Sequence, residues 1–160
     1  MTDSGWLNDD EMRAWMAYRR MRLLLSAEIA RDLARDTGLS EADYDVLSNL
    51  TDGGDRRRLG ELAERMQWSK SRLSHHITRM EQRGLVRRDE VDRDARGSLV
   101  VLTPQGRRTI EGAAPGHVAS VRRHLIDRLT PEQIRVLGEI GEAVLEPLGD
   151  APRPGGRDGA

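Results

Sequence analysis

Residues 59–103 read LGELAERMQWSKSRLSHHITRMEQRGLVRRDEVDRDARGSLVVLT, and this stretch decides the fold. Its first part predicts a short helix over residues 59–66, then a turn and a second helix whose first free N–H groups Ser69 can cap. Gly84 is a residue type that commonly follows a helix end. The apolar runs on either side of the next polar segment predict two strands. The stretch therefore predicts two short helices followed by a β-hairpin.

The second helix, residues 69–82, has an apolar side and a polar side at helical spacing. Leu73, Ile77 and Met80 fall on the apolar side, and the polar side carries no carboxylate before Glu81. An ordinary solvated face mixes both charge signs, whereas hydroxyl, imidazole and guanidinium groups can bond phosphates and read base edges. We therefore predict that this helix enters the major groove of double-stranded DNA. The predicted contacts are Ser69, Lys70, Ser71, Arg72, Ser74, His75, Thr78 and Arg79.

The polar segment between the predicted strands, DEVDRDARGS, carries Arg93 and Arg96 near its tip. The minor groove attracts guanidinium through its negative potential, so we predict that this hairpin reaches a minor groove beside the helix. Asp92 and Asp94 are unexpected at a DNA surface. We predict that they orient the arginines, because carboxylate–guanidinium pairs have directional geometry. A charged surface hairpin without a partner is the alternative.

Charge is distributed unevenly along the chain. The formal net charge is −1, but residues 56–108 hold fourteen Lys and Arg against seven Asp and Glu, so the remainder is acidic. Attraction to DNA depends on the local charge rather than on the total. The run 56–58, three arginines, opens this basic segment. We interpret it as a loop that is either solvated or in contact with phosphate through Arg58.

These motifs resemble a known family. LGELAERM, WSKSRLSHHITRMEQRGLVRR and DRDARGSLVVLTPQG are similar to the winged helix-turn-helix of the MarR family of bacterial transcription regulators, in its actinobacterial type, and the resemblance covers residues 10–148. It implies a homodimer that binds a pseudo-palindromic operator, acts as a repressor and releases DNA when a small-molecule effector binds. Residues 69–82 would be the recognition helix and Arg96 the wing arginine. The segment RRDEVDRDAR departs from the commoner family spacing, so Arg93 stays open as the deeper contact.

The resemblance also implies an effector site between the dimer helices and the winged lobe. Trp15 and Tyr18, on the first predicted helix, are the aromatic residues that we expect there. A tryptophan such as Trp15 on a helix face more often packs in a hydrophobic core than lines a ligand site.

Capping signals predict long helices outside the central segment. Residues 8–11 can form a capping box that opens a helix ending near Gly38. Thr103 and Thr130 each precede a proline at a first helical position. Pro115 predicts a kink or an interruption in the helix that follows Thr103.

We therefore expect a mainly α fold with a small β-hairpin wing. The apolar residues of the terminal helices exceed what a small winged helix needs to cover itself, which favours a homodimer over a monomer with these helices folded back. The predicted organisation is an N-terminal dimerisation helix in residues 1–39, the winged helix-turn-helix in 40–103, C-terminal dimerisation helices in 104–149 and a disordered tail in 150–160.

Several other classes of function find little support. The absence of cysteine excludes disulfides, thiolate metal sites and thiol-based sensing. His75 and His76 are adjacent, and His117 and His124 are two turns apart, so no metal site is expected; we interpret His76 as a residue at the boundary between the packed and outward faces. No catalytic motif and no cofactor motif is present.

The chain shows neither a signal peptide nor a long apolar run, so we expect a cytoplasmic protein with no membrane association. Two alternatives to a DNA-binding regulator stay open. One is a winged-helix module that binds another protein, and the other is a small-molecule binder or enzyme without specific DNA binding.

Overall fold

A computed structural model describes residues 5–89 and 98–149 of the chain. It confirms a mainly α fold with a small antiparallel sheet. The predicted tail, residues 150–160, lies outside the described residues. The elements are α1 Asp9–Thr37, α2 Glu41–Thr51, β1 Arg56–Arg58, α3 Leu59–Arg65, α4 Lys70–Gln82, β2 Val86–Asp89, β3 Leu99–Leu102, α5 Pro104–His124, a 3-10 turn Ile126–Arg128, α6 Pro131–Leu145 and a 3-10 turn Glu146–Leu148. The chain divides into two compact units between Ser120 and Val121.

The predicted helix starts are confirmed. The Asn8 side chain accepts from the backbone N–H of Glu11 at 2.9 Å, and the Glu11 carboxylate accepts from the backbone N–H of Asn8 at 2.8 Å. α2 and α6 open with equivalent capping boxes. α1 ends at Gly38, whose φ of 71° is left-handed and therefore suits glycine. Local capping chemistry is thus enough to set these boundaries.

The sheet has the order β1–β3–β2, with β3 antiparallel to both neighbours. The loop interpretation of residues 56–58 is wrong, because these arginines form β1. Arg56 is paired with Val101 and Arg58 with Leu99. An edge strand can pair through its backbone while its side chains stay charged and solvated. Such a strand carries no apolar pattern that would reveal it.

Of the two outcomes predicted at Pro115, a kink or an interruption, the interruption is wrong, since α5 is helical on both sides of that residue. Near its start, α5 approaches the chain that leads into β2. A Cβ atom on Gly106 would lie 2.0 Å from the carbonyl oxygen of Leu85, so only glycine fits. Thr103 supports this contact: its hydroxyl accepts from the N–H of Gly106 at 2.9 Å and lies 2.6 Å from the carbonyl oxygen of Gly84.

One hydrophobic core holds together the winged lobe, which comprises α2, α3, α4 and the three strands. α4 contributes Leu73, Ile77 and Met80, all with 0% exposure, as the apolar side of its helical pattern predicts. They pack with buried residues of the neighbouring helices and of β3. These are Val46, Leu47, Leu50, Leu62, Ala63, Val100 and Leu102. α4 is therefore fixed by its apolar side, and its polar side remains at the surface.

The long helices outside this core carry large apolar side chains that are exposed in the single chain. No residue of α6 is buried. The exposed set on α1 is Met12, Trp15, Met16, Tyr18, Met21, Leu23 and Leu24, and that on α6 is Ile134, Val136, Ile140, Val144 and Leu145.

Candidate nucleic-acid interface

The structure places the predicted contacts of α4 at its surface. Ser69 caps the helix, its hydroxyl accepting from the backbone N–H of Arg72 at 3.2 Å, and no acidic residue lies in the first turn. The free N–H groups and positive dipole end of such a helix start favour an anion. Ser74 is half-buried, and the other predicted contacts are exposed, namely Ser69, Lys70, Ser71, Arg72, His75, Thr78 and Arg79.

The aromatic ring of Trp68 supports Arg72. The guanidinium carbon of Arg72 lies 3.6 Å from the centroid of the Trp68 ring, a cation–π arrangement. Trp68 is half-buried, packs against the core and meets the His76 ring edge-on at 5.6 Å. Arg72 therefore starts from an ordered position at the surface.

The interpretation of His76 as a boundary residue is wrong, because its ring is buried at 7% exposure. Its Nδ1 lies 2.9 Å from Nη2 of Arg79, one turn further along α4. Its Nε2 lies 3.1 Å from Oδ1 of Asp43 on α2, a close contact that does not meet hydrogen-bond geometry. The other carboxylate oxygen of Asp43 accepts from Arg83 at 2.7 Å and from the backbone N–H of Ser40 at 3.0 Å. Asp43 thus links the start of α2 to α4.

The charges around this network set its protonation. Burial lowers the pKa of His76 below its ordinary value, and the nearby cations Arg79 and Arg83 lower it further, against the opposing effect of Asp43. Burial would raise the pKa of Asp43, but the hydrogen bonds from Arg83 and from the Ser40 backbone bring it below its ordinary value. Asp43 is therefore ionised and His76 neutral at pH 7.

Arg88 of β2 joins the wing strand to α4, a role that the sequence did not suggest. Its guanidinium donates to the carboxylate of Glu81 at 3.0 Å and to the hydroxyls of Thr78 and Ser74, each at 3.1 Å. It also donates to the backbone carbonyl of Ser74 at 2.7 Å. Two side chains predicted to contact DNA, Ser74 and Thr78, are thus bonded to Arg88, which also neutralises Glu81.

The arginines of β1 divide between structure and surface. Arg57 donates to the backbone carbonyl of Asn49 at 2.7 Å and pairs with Glu61 at 2.5 Å, and its side chain is only 13% exposed. Arg58 is exposed at the N-terminal end of α3, where it remains available for a phosphate.

The predicted wing residues Asp92, Arg93, Asp94 and Arg96 lie outside the described residues. The strands that flank them are described, and they pair from Val86 with Leu102 to Asp89 with Leu99. The β-hairpin predicted from the sequence therefore has its two strands in place.

Trp15 and Tyr18, predicted for an effector site, lie on α1. Their ring centroids are 5.9 Å apart and the rings are stacked. Trp15 is 48% exposed and Tyr18 51% exposed, so neither is a core residue within the single chain.

Metal-ligand clusters and membrane-spanning helices are both absent from the residues that the structure describes. Across 5–89 and 98–149 no three His, Cys, Asp or Glu side chains are grouped as metal ligands would be. Over the same ranges no helix has the length and apolar character needed to cross a bilayer.

Known proteins are similar to this chain in sequence and in architecture. The sequence profile of the MarR family matches residues 37–97. The transcriptional regulator HosA of Escherichia coli is 30% identical over 118 residues, which make up 73% of this chain and 85% of HosA. The chain belongs to the MarR family of transcriptional regulators.

Two solved MarR structures from Streptomyces coelicolor are similar over most of their length. AbsC has 44% identity and a TM-score of 0.83, covering 89% of this chain and 97% of AbsC. Sco3205, whose crystal structure is a complex with DNA, has 40% identity and a TM-score of 0.83, covering 89% of this chain and 90% of Sco3205.

The segment that matches the MarR profile contains the network around His76. Residues 37–97 include α2, with Asp43, and the whole of α4. They also include Arg88. The side chains that order the polar face of α4 thus belong to the part of the chain with the family's sequence pattern.

Proposed function

We propose that this MarR family member is a DNA-binding transcriptional regulator that reads base sequence with α4. The observation that carries the proposal is the exposed, acid-poor face of α4, whose apolar side is locked into the core. Arg72 and Lys70 lie near the N-terminal end of α4, which favours the binding of a phosphate group. A guanidinium group held in an ordered position can donate hydrogen bonds to the edges of bases. The complex of Sco3205 with DNA supports the same use of the fold here.

We further propose that the protein acts as a homodimer. α1 and α6 each expose a row of large apolar side chains in the single chain, and α6 buries none of its residues. Soluble proteins rarely leave such surfaces open to water. A second copy would cover them under two-fold symmetry, and two-fold symmetry of the protein implies a pseudo-palindromic operator.

The proposal extends to the wing, the effector and the direction of control. Arg93 or Arg96 would enter the minor groove, oriented by Asp92 and Asp94. A dimer that occupies a promoter blocks polymerase, so repression is the expected outcome. A small-molecule effector would bind near Trp15, where exposed aromatic rings offer stacking surface.

The identity to two Streptomyces regulators supports an actinobacterial type. Such a regulator would work in the cytoplasm, where bacterial DNA lies, and needs neither a cofactor nor a catalytic residue.

The test is selection of duplexes from a random library by the full-length protein, followed by affinity measurements at several salt concentrations. We expect an enriched site with two related halves about one helical turn apart. We also expect log Kd to change linearly with log salt, with a slope set by the number of phosphates contacted.

Two other results would contradict parts of the proposal. Little affinity for any duplex at low salt would refute the proposal and favour a protein-interaction module. Enrichment of a single asymmetric half-site, with a monomeric mass in solution, would refute the homodimer while leaving DNA binding in place.

A further inference from the structure

A buried imidazole on the recognition helix is an unusual feature of this chain. His76 is 7% exposed and Asp43 is 3% exposed, yet both carry polar atoms that face charged groups. The outward neighbour of this pair is Arg79, an exposed residue whose Nη2 lies 2.9 Å from the Nδ1 of His76. The ring therefore stands between a buried carboxylate and a surface guanidinium.

The partners of His76 fix its protonation state. A guanidinium has donors and no acceptor, so Nδ1 must accept from Arg79 and carries no proton. The proton of the neutral ring is then on Nε2, which faces Oδ1 of Asp43 at 3.1 Å. An imidazolium has an N–H on both nitrogens. It would direct one of them at the Arg79 guanidinium, and two cations would then face each other.

Among the described residues, the charged groups that act on the ring come from α2 and from the end of α4. Asp43 approaches from α2, Arg79 from α4, and Arg83 from the position directly after α4. Trp68, from the turn before α4, covers the ring edge-on and brings no charge. The carboxylate of Asp43 is shared with Arg83 and with the N-terminal cap of α2, so it is only partly available to stabilise a charged ring.

We propose that His76 is a positioning residue for DNA binding, which holds the Arg79 guanidinium in place through a neutral Nδ1, while its other ring nitrogen packs against Asp43. This inference rests on the proposed function of α4. A flexible arginine loses side-chain freedom when it binds, and a hydrogen bond that already orders it reduces that loss. His76 thus contributes to affinity without touching DNA.

The arrangement makes binding sensitive to acid. The affinity for DNA is highest while His76 is neutral, and it falls as the pH drops through the pKa of His76, because the protonated ring repels Arg79. The exposed neighbour His75 is a second imidazole on the same helix and is itself a predicted DNA contact. His75→Gln therefore provides a background in which the effect of His76 is measured alone.

The experiment uses the full-length protein and the duplex that it selects from a random library at pH 7.5. His76→Phe keeps the ring shape and removes the acceptor. His76→Asn keeps an oxygen near the position of Nδ1 and does not titrate. Arg79→Ala and the double variant His76→Phe/Arg79→Ala complete a cycle, and all are made in the His75→Gln background.

We expect His76→Phe to raise the Kd for the selected duplex about three- to tenfold, which is the change that corresponds to the net free energy of one hydrogen bond. The double variant should bind as Arg79→Ala does, because His76 acts through Arg79. The His75→Gln parent should lose affinity as the pH falls below about 6.5, the ordinary histidine value, because the pKa of His76 lies lower still. His76→Asn should keep most of its affinity over the same pH series. If His76→Phe fails to fold by circular dichroism, the pH comparison of His76→Asn with the parent decides.

Losses that multiply in the double variant would overturn the inference, because they would show that His76 acts on the fold and not on Arg79. Equal pH profiles for the parent and for His76→Asn would overturn it too. Failure of the wild type to bind any duplex at low salt is a different result, which removes the proposed function itself.

Discussion

Replacing Arg88 tests how the wing strand is attached to the recognition helix. Arg88 donates to Ser74, Thr78 and Glu81 through four hydrogen bonds of 2.7–3.1 Å. The ion pair with Glu81 is partly solvated, with side-chain exposures of 28% and 30%, so its contribution is discounted for screening. At a net value near 1 kcal/mol or less for each bond, Arg88→Met should lower the free energy of unfolding by about 1–2 kcal/mol. Methionine keeps an apolar stem and removes the donors.

The assay is urea unfolding, together with DNA affinity at several salt concentrations. In the native protein the backbone N–H of Arg88 donates to the Glu81 carboxylate at 2.8 Å. Glu81→Gln is the matched control, because the amide oxygen of glutamine can still accept this hydrogen bond. A double-mutant cycle then isolates the side-chain pair. We expect coupling between the two changes in unfolding free energy and an unchanged salt slope for DNA binding.

The opposite pair of results would refute this reasoning. If unfolding is unaffected and the salt slope falls by about one, Arg88 is a phosphate contact and the bonds to α4 do not stabilise the fold.

Further changes test other parts of the structure. Gly106→Ala should destabilise by about 2–3 kcal/mol in urea unfolding, since its Cβ would lie 2.0 Å from a backbone carbonyl oxygen; a melting temperature equal to wild type would contradict that packing. The free energy of unfolding should decline as pH falls below about 6.5, because the pKa of His76 is lowered in the folded protein and the unfolded chain takes up the proton first. It should decline again at more acid pH, because the pKa of Asp43 is also lowered in the folded protein and the unfolded chain is again protonated first. In a pH series of urea titrations, His76→Asn should remove the first decline only. If the first decline persists in this variant, another group causes it. Arg96→Ala should weaken operator binding and reduce its salt slope, and unchanged affinity across salt would remove this residue from the interface.

Features that depend on neighbouring residues could be predicted from the sequence. The Asn8 capping box, the cap at Ser69 and the left-handed Gly38 all follow from side chains within a few positions of one another. The packed side of α4 follows from helical spacing in the same way. These features were enough to predict the mainly α winged fold.

Features that depend on distant residues could not be predicted. His76 is buried because Asp43, 33 positions earlier, lies against it, and no local pattern indicates that meeting. β1 exists because residues 56–58 pair with β3, and arginines carry no strand signal. Arg88 likewise contacts Ser74 only because β2 packs beside α4. The sequence therefore indicated which face of α4 is polar and exposed, but not which residues order that face.

The most direct test of the central claim, that α4 reads base sequence, is the affinity of Arg72→Ala for the selected duplex and for a random one. Arg72 is exposed and ordered over Trp68, with 3.6 Å between its guanidinium carbon and the ring centroid. The account predicts a loss of about 1–3 kcal/mol on the selected duplex and a much smaller loss on the random one. Equal losses on both duplexes, or no loss on either, would contradict it.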